Sequence, residues 1–79
     1  MTDDIVKHSV SIAGHRTSIS LEKEFWVIFC KVAENRRMSI NALITEIDET
    51  RTGNLSSALR LFALHEVISN PELANQLIS

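Results

Sequence analysis

The sequence predicts an α+β, mainly helical fold: a short antiparallel β-ribbon near the amino terminus, shared between two copies of the chain, followed by packed helices. Three observations carry this expectation. Arg16-Thr-Ser-Ile-Ser-Leu21 alternates strictly, with Thr17, Ile19 and Leu21 on one side and Arg16, Ser18 and Ser20 on the other, the pattern of a strand with one dry and one polar face. It runs directly into Glu22-Lys-Glu-Phe25, whose acidic residues suit the positive end of a helix dipole. Past a polar Glu34-Asn-Arg-Arg37 corner, Ser39 precedes Ile40-Asn-Ala-Leu-Ile44 and supplies an N-cap for a second helix.

A lone strand leaves its amides, carbonyls and dry face without partners. The simplest partner is the same strand of a second copy. A two-stranded antiparallel ribbon of this kind fits a DNA major groove, with its polar face as the reading surface. Ile5-Val-Lys-His-Ser-Val-Ser-Ile12 also alternates, Val6, His8, Val10 and Ile12 against Lys7, Ser9 and Ser11, and reads as an extra first strand. Ala13-Gly14-His15 offers the glycine of a tight connection, so residues 5–21 can close as a hairpin. A dimer of such hairpins would have a four-stranded sheet about 15 to 20 Å across at a strand spacing of about 4.8 Å. That is wider than a major groove of about 12 Å.

The helices follow in order. Residues 22–36 carry Phe25, Ile28, Phe29 and Val32 on one stripe, and charged flanks decide for helix over strand. Residues 39–51 present Ile40, Leu43, Ile44 and Ile47 and stop near Thr52-Gly53, glycine being the usual C-terminal stop. Asn54 caps a third helix over 55–69, which has more apolar surface than one stripe requires. Such a helix is buried on several sides or sits in an interface, with Phe62 a candidate for that interface. Asn70-Pro-Glu72 opens a short fourth helix over 71–77. The expected dimer core is Thr17, Ile19, Leu21, Phe25, Phe29, Leu43 and Ile44.

All 79 residues form one expected domain, close to the size at which one core leaves little stability to spare. At 44% hydrophobic residues the chain is not a disordered one. Its longest apolar run, Phe25 to Cys30, is far too short for a membrane span. The acidic Met1-Thr-Asp-Asp start is unlike a secretory signal, which gives an expectation of a cytoplasmic protein without membrane contact. The single cysteine, Cys30, and Trp26 both read as core residues. His8 and His15 flank the hairpin without a third ligand, so no metal site is expected. No cofactor is expected either. No nucleophile stands beside a spaced acid or base, and there is no glycine-rich phosphate loop, so no catalytic residue is expected.

A net charge of −2 opposes strong nonspecific binding to nucleic acid. The charge is unevenly spread, however: Lys7, His8, His15, Arg16, Arg36 and Arg37 precede Glu46, Asp48, Glu49, Glu66 and Glu72. A local basic patch therefore remains available.

Lys31-Val-Ala-Glu-Asn-Arg-Arg-Met-Ser-Ile-Asn41 resembles the turn between the helices of Arc/MetJ-like ribbon-helix-helix repressors. Gly14-His-Arg-Thr-Ser-Ile-Ser-Leu-Glu22, Phe25-Trp26 and Asn54-Leu-Ser-Ser-Ala-Leu-Arg60 look more closely like a bacterial ribbon-helix-helix subfamily, over about residues 7 to 68. The resemblance implies a homodimer that binds double-stranded DNA and regulates transcription. It implies base contacts at Arg16, Ser18 and Ser20, and phosphate contacts at Ser39, Ile40 and Asn41. Arginine can pair bidentately with guanine, while serine discriminates poorly. The alternative is a ribbon-helix-helix scaffold used as a protein-protein interaction module without DNA binding, through residues 55–69 or the widened sheet. The two readings part at the first strand: displaced, it frees the ribbon for DNA; paired, it covers the ribbon's edge.

Overall fold

A computed structural model describes residues 5–78; the acidic segment at residues 1–4 lies outside them. Strand β1 (Ile5–Ile12) and strand β2 (His15–Glu22) pair antiparallel within the one chain, with Val6 opposite Leu21, His8 opposite Ile19 and Ile12 opposite His15. The turn between them is Ala13-Gly14, at φ of 51° and 84°. Positive φ at both positions is what a type I′ hairpin turn requires, and it matches the twist of the strands it joins. The extra strand is therefore present, and it occupies one edge of β2.

Four helices follow: α1 (Lys23–Asn35), α2 (Ile40–Thr50), α3 (Leu55–Ser69) and α4 (Pro71–Ile78). Helix α1 starts one residue later than expected because Glu22 stays extended at φ −60° and ψ 146° and serves as its N-cap. The Glu22 carboxyl, lowered from its ordinary value by its own backbone hydrogen bond and then by Arg60, receives two hydrogen bonds from that guanidinium, at 3.0 and 3.2 Å. This ties the strand–helix corner to α3. The end of α1 is a Schellman turn: Met38 N–H donates to the Ala33 carbonyl and Arg37 N–H to that of Glu34, with Arg37 at φ 57°. Ser39 and Asn54 cap α2 and α3, accepting from Ala42 N–H and Ser57 N–H. Proline opens α4 directly after Asn70, where its missing N–H has no helical acceptor to lose.

The inward face of the hairpin and the inner stripes of the helices close one core around Leu21, Phe29, Leu43, Ile44, Leu59 and Leu73, all fully buried. The Phe29 and Phe62 rings stack at 5.7 Å, and Arg36 lies over Phe62 while bonding Glu66 at 2.9 Å. Phe62 is thereby held against the core on one side and is half-buried. Cys30 departs from expectation. Helix α1 buries Phe29, Val32 and Ala33, and Cys30 falls on the far side of that stripe and is exposed. Trp26 is half-buried, its ring stacked on His8 with centroids 3.6 Å apart. Among the described residues no helix is long and apolar enough to cross a membrane.

Candidate nucleic-acid interface

The hairpin register sorts its side chains into two faces. Opposed residues share a face, so Val10, Ile12, Ile19 and Leu21 point into the core, while Lys7, Ser9 and Ser11 lie beside Ser20, Ser18 and Arg16 on the outer one. No acidic side chain interrupts those six. Arg16 Nη2 donates to Ser9 Oγ at 3.3 Å across the strands, which steadies the guanidinium base and leaves its other donors available. Lys7 belongs to this surface, a placement that follows only once the two strands are paired.

The register also fixes where the backbone points. In an antiparallel pair every second residue turns its N–H and C=O away from its neighbour. Ser11 does so, since its N–H donates to Asn41 Oδ1 at 3.2 Å. By the same alternation Ser9 and Lys7 on β1, and Arg16, Ser18 and Ser20 on β2, turn theirs outward. No strand pairs with the outer edge of β2 among the described residues, because the sheet has only the order β1-β2.

The start of α2 sits against β1. Ser39 Oγ is engaged as the helix cap, accepting from Ala42 N–H at 3.0 Å, and Asn41 Oδ1 is engaged by Ser11. Ser39 thus caps the helix, and Asn41 anchors the helix start to the sheet. The groups at this terminus without a side-chain cap or a backbone partner are the N–H of Ile40 and of Asn41. The link from Asn41 to Ser11 spans thirty residues of sequence and has no local signal that would have revealed it.

Of the seven residues expected in a dimer core, Ile19, Leu21, Phe29, Leu43 and Ile44 are buried inside the single chain. Phe25 is half-buried and Thr17 is exposed on the inner face. The paired β1 and helix α3 supply the cover that a second copy would otherwise have to bring. His8 lies on the inner face against Trp26 and His15 beside the turn. The described residues contain no group of three histidine, cysteine or acidic side chains placed to hold a metal.

The family model of the ribbon-helix-helix domain matches residues 5–67. The chain belongs to the ribbon-helix-helix family. The match takes in both strands, α1, α2 and most of α3, and stops before α4. No curated protein and no solved structure gives a significant match. Ribbon-helix-helix domains generally belong to DNA-binding transcription regulators that dimerise, and are typically not enzymes.

Proposed function

We propose that this chain is a homodimeric, DNA-binding transcription regulator whose sheet lies across the major groove. The observation that carries the reading is the distribution of unpaired cations. Of eight lysines and arginines, Lys31, Arg36, Arg51 and Arg60 are held by carboxylates, which leaves Lys7, Arg16, Lys23 and Arg37. Two of these four are on the outer face of the hairpin, and Arg37 is two residues before the cap of α2. An acidic chain can bind phosphate where its cations are free and its carboxylates are elsewhere.

Geometry decides how a four-stranded sheet would bind. If β2 pairs with its copy, the two β1 strands lie about 14 Å apart at a spacing of about 4.8 Å, outside a groove of about 12 Å. The outer strands then ride over the phosphate backbones, with Lys7, Ser9 and Ser11 against phosphates. Arg16 on the inner strands is long enough to reach a base edge, whereas Ser18 and Ser20 report on the fit of the sheet more than on base identity. The backbone N–H groups of Ile40 and Asn41, with Ser39 holding the cap, supply a further phosphate contact at a helix amino terminus.

Fluorescence anisotropy with genomic fragments, beginning with DNA around the protein's own gene, tests this at low and physiological salt. Arg16→Ala should weaken binding by about 1 to 3 kcal/mol for each half-site and relax preference at one base pair in each. Lys7→Ala should weaken all sequences alike and lower the salt slope by about two, one for each copy of the dimer. No binding at low salt from a folded dimer overturns the proposal. One observation favours the second reading, an interaction scaffold without DNA: the paired β1 widens the sheet and covers one edge of the reading strand.

A further inference from the structure

The end of α2 and the outer side of α3 enclose an open groove of about 650 Å³, and we propose that it docks a basic amphipathic helix of a partner protein. Its floor is apolar, formed by Ile47, Ala58, Leu61 and Phe62, and its rim carries Glu46 and Glu49. Leu61 keeps 55% of its surface exposed. A large aliphatic side chain left in water beside a concave apolar floor is the usual mark of a recognition groove.

The charges specify the occupant. Glu46 and Glu49 are three residues apart on α2, so both carboxylates project from one side of the helix. Neither has an ion-pair partner among the described residues. Arg51, which also lines the groove, is already held by Asp48 at 2.6 Å and by the Gly53 carbonyl, so its charge is neutralised within the chain. An apolar floor with two unneutralised carboxylates along its rim fits aliphatic side chains flanked by lysine or arginine, and repels phosphate. It also disfavours a second copy set groove to groove, since two-fold packing would bring the glutamates of both copies together. Along α3 the lining runs from Ser57 to His65, about 12 Å, which is the length of two helical turns. An occupant of that length with anchors at i, i+3 and i+7 uses the helix-in-groove mode of recognition.

The groove is independent of the proposed DNA surface. Asn41 bonds β1 at the start of α2, and Glu49 lies about 12 Å further along the same helix. Both surfaces can therefore be occupied together, and the proposal stands whether or not the ribbon binds DNA.

The probe is a synthetic helix of about 14 residues with leucines at i, i+3 and i+7 and lysines beside them; a matched peptide carries glutamates in place of the lysines. In a ¹⁵N NMR titration the lysine peptide should move amide signals in the second half of α2 and along α3, and its affinity should fall with added salt. The combined Glu46→Gln, Glu49→Gln variant should bind it about ten-fold more weakly, and Leu61→Ser should abolish binding. All three positions are at the surface, and unchanged melting of the variants separates lost binding from lost folding. Equal binding of the glutamate peptide, or no effect of the glutamine substitutions, overturns the proposal. So does a drop in oligomer mass on Leu61→Ser, which would assign the groove to a second copy.

Discussion

Ile19 stands in the middle of β2, opposite His8 and on the side of the sheet that faces the helices, with 5% of its surface exposed. Its neighbour Ser18 is exposed on the other side. One step along a strand thus separates a position that tolerates only an apolar side chain from one open to water. Ile19→Asp places a carboxylate among apolar core residues, where the polar group facing it is His8, stacked on Trp26 with its Nε2 buried and unpartnered, at a cost of several kcal/mol. Because the core closes within one chain, the loss should appear at every protein concentration. Circular dichroism melting of the variant at low and high concentration checks this. A melting curve like the parent's would mean that the faces of β2 are inverted; a loss only at low concentration would mean that Ile19 is covered by a second copy.

Among the elements, the hairpin carries the clearest local strain. Ala13 adopts φ 51°, a left-handed conformation that is unfavourable by roughly 1 to 2 kcal/mol for a residue with a Cβ. Asparagine visits it more readily, and Asn-Gly is the preferred type I′ pair. Ala13→Asn is therefore expected to stabilise the protein by about 0.5 to 1 kcal/mol, read as a higher denaturant midpoint at unchanged slope. An unchanged or lower midpoint would count against this turn. The elements were largely legible in the sequence because each has a local cause: alternation for the strands, Ser39 and Asn54 as caps, Gly14 in the turn, Pro71 at the start of α4. The facing of the helices was less so. From Phe25 to Cys30 every residue is apolar, so periodicity alone cannot say that Phe29 is buried while Val27 and Cys30 are exposed. Helix α3 carries more apolar residues than one stripe requires, and only the structure separates Phe62, stacked on Phe29, from the outward Leu61, Leu64 and Ile68. Links between distant residues, Asn41 to Ser11 and Arg60 to Glu22, leave no trace in local pattern. Alternation identifies a strand but not its partner, which is why β2 reads equally well as pairing with β1 or with its own copy.

For the whole molecule the question is whether a chain that already buries its own core still dimerises. Pairing with β1 satisfies one edge of β2, while the N–H and C=O groups of Arg16, Ser18 and Ser20 point to the other, where no strand lies. An uncovered strand edge is a template for another strand. Antiparallel pairing of β2 with its copy about Ser18 keeps Ile19 and Leu21 of both chains on the inner face, so register and burial agree. Two proline substitutions test this edge. Ser18→Pro removes an N–H that points away from β1, so the hairpin keeps its hydrogen bonds while a β2–β2 ribbon, with the substitution in both copies, loses the two at its centre. Ser9→Pro makes the equivalent change on the outer edge of β1 and serves as the control for strain within the hairpin. By size exclusion with light scattering, the parent and Ser9→Pro should both be dimers, and Ser18→Pro a folded monomer with unchanged helical circular dichroism. If Ser18→Pro remains dimeric, the copies meet through another surface; if the parent is a stable monomer at micromolar concentration, the shared ribbon and the DNA-reading sheet built on it both fall.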